Sequence, residues 1–138
     1  MFDQAVHNDV ACIEHSHALF HEMIDYLQSA MLKGKSRAVI HNLMVDLTAT
    51  LSVHVELENH LMITANFPLA ASHIKEHESF RSAFLAQLQK AYDGIEVNGF
   101  AESLKGIHKR HIHYFDDVLK YYLEDKYSLH SVKDGLGI

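Results

Sequence analysis

Four stretches of the chain place apolar residues at alternating spacings of three and four, and glycine or proline separates each stretch from the next. This spacing keeps apolar side chains on one face of an α-helix. In the first stretch the seam is Val10, Ile13, His17, Phe20, Ile24, Leu27 and Met31. The pattern predicts an all-α fold, an antiparallel up-down-up-down four-helix bundle with an N-terminal arm.

The breaks between the stretches set the expected helix limits. Gly34 is expected to end the first helix, and Ser36 is a plausible N-cap for the second. Asn66-Phe67-Pro68 separates the second helix from the third, and Gly94 to Gly99 connects the third to the fourth. We expect a single domain over residues 1–138, with helices at about 10–32, 36–65, 69–91 and 100–126.

Composition excludes several classes of function. The formal net charge is −6 and no basic stripe is present, which argues against nucleic-acid binding. We see neither a secretory leader nor an apolar run of membrane-spanning length, so we expect a cytoplasmic protein without membrane insertion. The single cysteine, Cys12, allows no internal disulfide.

The apolar seams contain residues that do not belong in an ordinary core. The chain has 13 histidines, and several of them lie with carboxylates in or beside the seams. Burying such groups without partners costs roughly several kcal/mol each. Two metal ions in the bundle would supply those partners. The candidate ligands are His17, His54, Glu58, His73, His77, His111 and Asp116.

Spacing indicates how these ligands are arranged on each helix. His54 and Glu58 are four residues apart, as are His73 and His77, so each pair projects from one face. Asp116 follows His111 by five residues, about 140° around an α-helix. We therefore expect Asp116 to lean in from the flank, as a carboxylate that bridges two ions.

Alternative interpretations account for fewer of these residues. A histidine taken alone is more often a solvated side chain than a ligand, and solvent exposure is predicted for His15, His21, His113 and Asp117. The ferritin-like carboxylate site needs Glu-x-x-His twice, whereas only Glu14 to His17 fits here. No His-Glu-x-x-His zinc-protease motif is present. A haem would use one or two of the seven candidates.

The complete set strongly resembles the bacteriohemerythrins. That family has a lone histidine on the first helix, His-x-x-x-Glu on the second, His-x-x-x-His on the third and His-x-x-x-x-Asp on the fourth. All seven positions are filled here at matching spacings, and Phe67-Pro68 resembles the family's Tyr-Pro turn. The resemblance extends from about Phe2 to about Tyr122.

The resemblance implies a non-haem di-iron centre with an oxo or hydroxo bridge that binds O2 reversibly. By position, His73, His77 and His111 would hold one iron. His17 and His54 would hold the other iron and leave it an open coordination position. Glu58 and Asp116 would bridge the two ions. O2 would be the ligand at the open iron, with nitric oxide or a small anion as alternatives.

Three departures from the family pattern concern the surroundings of the site. Phe2 and Ile107 stand where the family often has tryptophan, and Asn59 replaces the second residue of its Glu-Glu pair. None of these three is a ligand. They lead us to expect faster autoxidation than in a relative that contains the tryptophans.

Several biological roles are compatible with O2 binding. We expect a sensing domain for O2 or redox state that reports to a C-terminal or partner output domain, because the chain continues past Asp116 to Ile138 without an obvious final cap. A stand-alone O2 carrier or store is the main alternative. A di-iron enzyme acting on peroxide or nitric oxide is another, although no acid or base is clearly poised for it and the domain is expected not to be an enzyme. The last alternative is a site for zinc or another structural metal ion.

Overall fold

The fold is that of a computed structural model, which describes residues 4–94 and 99–127, with side chains described from Val10 onward. Every regular element in this part of the chain is helical. The elements are α1 (Gln4–Leu32), α2 (Arg37–Thr64), α3 (Ala70–Tyr92), α4 (Phe100–His111), a π-helical segment (Ile112–Asp116) and α5 (Asp117–Tyr127). Because α4, the π segment and α5 follow one another without a break, they form one fourth helix. The predicted four-helix bundle is confirmed.

The helix limits follow the predicted breaks, with one difference. Ser36 caps α2 as expected, since its side chain accepts a hydrogen bond from the Val39 backbone N–H at 3.3 Å. Helix α1 begins at Gln4 rather than near residue 10, so the N-terminal arm is short. Phe2, most of the connection between α3 and α4, and the tail after Tyr127 lie outside the described residues.

The helices pack as a closed ring around two apolar clusters. Helix α1 packs against α2 and α4, and α3 packs against the same two helices. The larger cluster contains Phe20, Ile24, Leu51, Phe80, Phe84 and Leu104, among others. The smaller cluster contains Ile13, Leu61, Met62, Ala65, Phe67, Leu119 and Leu123. The predicted ligand positions fall between these two clusters along every helix.

The π segment shifts the register of the fourth helix by one residue. The backbone N–H of Asp117 donates to the carbonyl of Ile112, five residues back instead of four. Val118, which follows His111 by seven residues and would share its face on a regular α-helix, is 41% exposed, whereas Leu119 and Leu123 are 2% and 1% exposed. Eight residues separate His111 from Leu119, which would put them about 80° apart on a regular α-helix. The extra residue in the π turn brings Leu119 back to the core face.

Helix α2 corrects the expectation about membrane spans. By length and composition, Arg37–Thr64 is apolar enough to cross a membrane. The core helix of a soluble bundle passes the same test, and α2 packs against both α1 and α3. It also buries a carboxylate, Glu58, whose side chain is fully enclosed. Of the apolar window that passes this test, 33% is buried in the bundle, and one such helix is weak evidence for a membrane span.

Deleting Tyr114 tests the register shift. Tyr114 is 65% exposed within the π segment, and its loss restores a seven-residue spacing between His111 and Leu119. We expect a regular α-helix that keeps Leu119 and Leu123 in the core, with only a small decrease in the thermal unfolding midpoint. The matched control deletes exposed Ser82 from the regular helix α3, which rotates Phe84 out of the core and lowers the midpoint much further. Equal losses in both deletion variants would contradict this account.

Candidate metal centre

All seven predicted ligands converge in one layer between the two apolar clusters. Helix α1 supplies His17, and α2 supplies His54 and Glu58. Helix α3 supplies His73 and His77, and the fourth helix supplies His111 and Asp116. Six of these side chains are buried, with exposures from 0% for Glu58 to 7% for His54. His17 is the most accessible, with a side chain 19% exposed.

The seven side chains form two overlapping groups, each able to hold an ion. One group contains His73, His77 and His111 with both carboxylates, and the other contains His17 and His54 with the same two carboxylates. Within each group one ligand atom per residue lies within 4.8 Å of all the others. Glu58 and Asp116 belong to both groups, so they occupy the position of bridging ligands.

Short distances join the imidazole nitrogens to the carboxylate oxygens. Glu58 lies 2.9 Å from His54 Nε2, 3.2 Å from His73 Nε2 and 2.9 Å from His77 Nε2. Asp116 lies 3.1 Å from His17 Nε2, 3.2 Å from His73 Nε2 and 3.0 Å from His111 Nε2. Ligands held about 2.1 Å from one ion at right angles lie about 3 Å apart, which is the spacing seen here.

Most of these contacts lack hydrogen-bond geometry. Only His77 Nε2 and Glu58 Oε1 meet it, whereas the Nε2 atoms of His17, His54, His73 and His111 are buried without a hydrogen-bond partner. Both carboxylate oxygens of Asp116 are also buried without a hydrogen-bond partner. Buried polar atoms are rarely left unpaired, because each costs about 1–3 kcal/mol. Cations between the nitrogens and the oxygens would satisfy all of them, so the donor set fits a pair of metal ions.

Hydrogen bonds from outside the cluster fix two of the imidazole tautomers. Ser16 donates its only hydroxyl proton to the Ile13 carbonyl at 3.0 Å, so it must accept from His54 Nδ1–H at 2.7 Å. Asn59 Oδ1 likewise accepts from His77 Nδ1–H at 2.7 Å. In a neutral ring, a proton on Nδ1 leaves a lone pair on Nε2. Both rings therefore present a metal-binding nitrogen to the carboxylates.

The cluster also shifts the pKa values of its members. Burial alone would raise the pKa of Glu58, but the nearby His54, His73 and His77 lower it well below its usual range. Burial alone would also raise the pKa of Asp116, but His111, His17 and His73 lower it well below its usual range. Burial lowers the pKa of His73, yet the carboxylates of Asp116 and Glu58 outweigh it and raise the value to about 9. Both carboxylates thus stay ionised and attract cations.

Three cavities border the cluster, and all of them adjoin the two-histidine group. One, about 380 Å³, is lined by residues of α1 and α2 and includes His54 as its only cluster residue. Of the other two, the larger cavity, about 130 Å³, is lined by His17, Glu58 and Asp116 and by the Glu14–Lys120 pair, whose charged atoms are 2.9 Å apart. The smaller cavity, about 10 Å³, is lined by His17 and His54. None of the three is lined by His73, His77 or His111, so the three-histidine group is the more enclosed.

The structure corrects the predicted position of Asp116. On a regular α-helix it would point about 140° away from His111, but the π segment takes in one more residue per turn. His111 Nε2 and Asp116 Oδ1 are consequently 3.0 Å apart and share one face of the helix. Asp116 therefore reaches both groups directly and does not lean in from the flank.

Sequence reasoning misplaced His21 and missed His108. His15 and His113 are exposed as predicted, and Asp117 is partly buried at the wall of the larger cavity. His21 was expected in solvent, yet it is partly buried and bonded through Nε2 to Nδ1 of His108 at 2.8 Å. His108 is only 2% exposed. Its spacing of four from Leu104 and three from His111 places it on the same helix face as those two residues, and this spacing is the signal in the sequence that could have found it.

Comparison with known proteins identifies a family. A family model described as the Hemerythrin HHE cation binding domain matches residues 4–123. No curated protein and no solved structure matches the chain. The matched range includes all seven clustered residues and therefore relates the cluster to cation binding.

The raised pKa of His73 predicts a pH-dependent stability for the metal-free protein. A pKa of about 9 in the folded state, against an ordinary value of 6.5, gives stability that is full below pH 6.5 and is lost as pH rises through 9. We expect the thermal midpoint of metal-free protein to fall across this interval, as followed by circular dichroism. His73→Gln should flatten the profile, and His15→Gln should leave it unchanged. A wild-type midpoint that stays constant from pH 6.5 to 9 would refute the predicted shift.

Proposed function

Since the chain belongs to the hemerythrin HHE cation-binding domain family, we propose that its cluster holds two non-haem iron ions and that the protein binds O2 reversibly. In this proposal Glu58 and Asp116 would be ligands to both ions. His73, His77 and His111 would be the remaining protein ligands of one ion, and His17 and His54 those of the other. Ferrous iron, when bound, would supply the electrons that reversible O2 binding needs. A di-iron enzyme acting on peroxide or nitric oxide is the alternative, and it would need an acid or base in addition to the seven ligands.

The observation that carries this proposal is the asymmetry of the two groups. Three histidines belong to one group and two to the other, while both carboxylates are shared. The three cavities that border the cluster adjoin only the two-histidine group and the shared carboxylates. A ligand that enters the protein therefore meets the ion with fewer protein ligands. This is the arrangement expected of a binding centre with one open position.

The donor set favours a pair of iron ions over a structural zinc ion. Structural zinc sites are four-coordinate and closed, whereas this cluster offers seven ligands in two groups that share two carboxylates. Imidazole and bridging carboxylates suit a dinuclear transition-metal centre. Zinc has no redox chemistry, so it could not supply the electrons that reversible O2 binding needs.

The protein's own residues keep the centre dry and correctly oriented. Apolar clusters lie on both sides of the ligand layer, and they limit the water that reaches it. Ser16 and Asn59 hold the rings of His54 and His77 with Nε2 toward the carboxylates. The two carboxylate charges offset part of the charge of the ions. These features favour release of O2 over irreversible oxidation.

An optical and metal analysis tests the proposed centre. We expect about two iron ions per chain in protein produced without added metal. Absorption bands of an oxidised, bridged iron pair should bleach with dithionite in the absence of air, and the reduced protein should take up O2 reversibly. Glu58→Ala and Asp116→Ala should lose iron because each removes a ligand shared by both groups. The control His15→Ala removes an exposed histidine and should retain it. Colourless wild-type protein that contains zinc would exclude the proposal.

We further propose that O2 binding serves a sensing role, in which α1 and α5 transmit the state of the centre. His17 on α1 and Asp116, the residue immediately before α5, both belong to the two-histidine group and line the larger cavity. A ligand at that group therefore acts on the packing between these helices. Hydrogen exchange measured with and without O2 should differ in α1 and α5 more than in α3. A stand-alone carrier or store predicts exchange that changes only at the ligands themselves.

A further inference from the structure

His108 is a buried histidine to which the proposed centre gives no role. It is 2% exposed and lies one helical turn before His111 on α4. It belongs to neither ligand group. Histidine is seldom buried this completely without a polar partner, so its contacts call for a physical explanation.

Of the two ring nitrogens of His108, Nδ1 is hydrogen-bonded and Nε2 is not. Nδ1 is hydrogen-bonded to His21 Nε2 at 2.8 Å. The ring is also packed edge-on against Phe20, with centroids 4.8 Å apart, and stacked with Phe80 at 5.9 Å. Within the described residues, Nε2 has no hydrogen-bond partner. The pairing with His21 and the two aromatic contacts thus fix the ring and leave one polar atom available.

A small cavity separates His108 from the two-histidine group. His17, His54 and His108 all line it, with ring centroids 5.2 Å apart between His17 and His108 and 6.4 Å apart between His54 and His108. Its volume of about 10 Å³ is close to the space that one water molecule occupies. The remaining lining is Ser16, Phe20, Thr50 and Leu51. His108 is therefore the polar side chain that faces the cavity from the fourth helix.

The His21–His108 hydrogen bond couples the tautomers of the two rings. One nitrogen must supply the proton and the other the lone pair. If His21 Nε2–H donates, a neutral His108 carries its proton on Nε2 and can donate into the cavity. If His108 Nδ1–H donates, its Nε2 is an acceptor. A ligand that accepts a hydrogen bond selects the first arrangement.

We propose that His108, positioned by His21, donates a hydrogen bond to a small anionic or oxygen-containing ligand held at the two-histidine group. This inference rests on the proposed function, since it requires an ion at His17 and His54. It identifies a specificity-determining residue for the ligand, and His21 acts only as the positioning residue. A ligand that accepts a hydrogen bond therefore binds more tightly when residue 108 is histidine than when residue 108 is apolar.

Azide binding to the iron-loaded, oxidised protein tests this role. Wild-type protein, His108→Leu, His108→Gln and His21→Leu would be titrated with azide and followed by absorption. Because His108→Leu removes a hydrogen bond to a charged ligand, it should lower the azide affinity roughly tenfold or more. His108→Gln should recover part of the affinity, and His21→Leu should lose part of it. Thr50→Val, which alters the same cavity but not the histidine pair, is the matched control and should bind as wild type does.

Infrared spectra of bound azide provide a readout that a purely structural role would not change. In wild-type protein the azide stretch should shift between H2O and D2O, and this shift should vanish in His108→Leu. Iron content and thermal midpoint are measured for every variant. If His108→Leu loses iron or fails to fold, His108→Gln and His21→Leu decide the question through the same isotope shift.

The outcomes separate this inference from the proposed function. Wild-type protein without iron overturns both. Wild-type protein that holds iron, together with a His108→Leu variant of unchanged azide affinity and unchanged isotope shift, overturns the role of His108 alone. Equal losses in His108→Leu and Thr50→Val would also overturn it, because they would show that cavity shape and not a hydrogen bond sets the affinity.

Discussion

Two buried carboxylates surrounded by imidazole nitrogens are the constraint on which the rest of the structure depends. Glu58 and Asp116 contact all five clustered histidines at 2.9–3.2 Å, and most of these atoms lack hydrogen-bond geometry. Such a layer is costly without cations. The layer of ligands also divides the apolar core into two clusters, so apolar packing is not continuous along the bundle.

Local structure in each helix serves this layer. The π segment adds one residue to a turn and thereby brings Asp116 beside His111 and Leu119 back to the core. Ser16 and Asn59 orient His54 and His77 through their Nδ1 atoms. π turns are rare and are frequently found at functional sites. Here the turn has a definite effect, because a regular helix would aim Asp116 away from the other ligands.

The two halves of the layer differ in access and in polarity. The three-histidine group is enclosed, while the two-histidine group adjoins all three cavities that border the cluster. One cavity lies on the side of α5 and contains the Glu14–Lys120 pair in its walls. Another lies beside His108, whose partner His21 is closer to the surface. The asymmetry on which the proposed ligand binding rests thus places a polar side chain next to the two-histidine group.

The sequence by itself determined the number of helices, the breaks between them and the identity of the seven clustered residues, because apolar periodicity and glycine or proline breaks are local properties. It could not determine the π segment, since the choice between an α and a π turn at Ile112–Asp116 depends on how Asp116 and Leu119 fit the other helices. It misplaced His21 and missed His108 for a similar reason. Their burial follows from contacts between α1 and α4, which bring together two residues 87 positions apart in the chain. Only the tertiary structure decided these features, because the free energy that favours them comes from packing and from hydrogen bonds between helices.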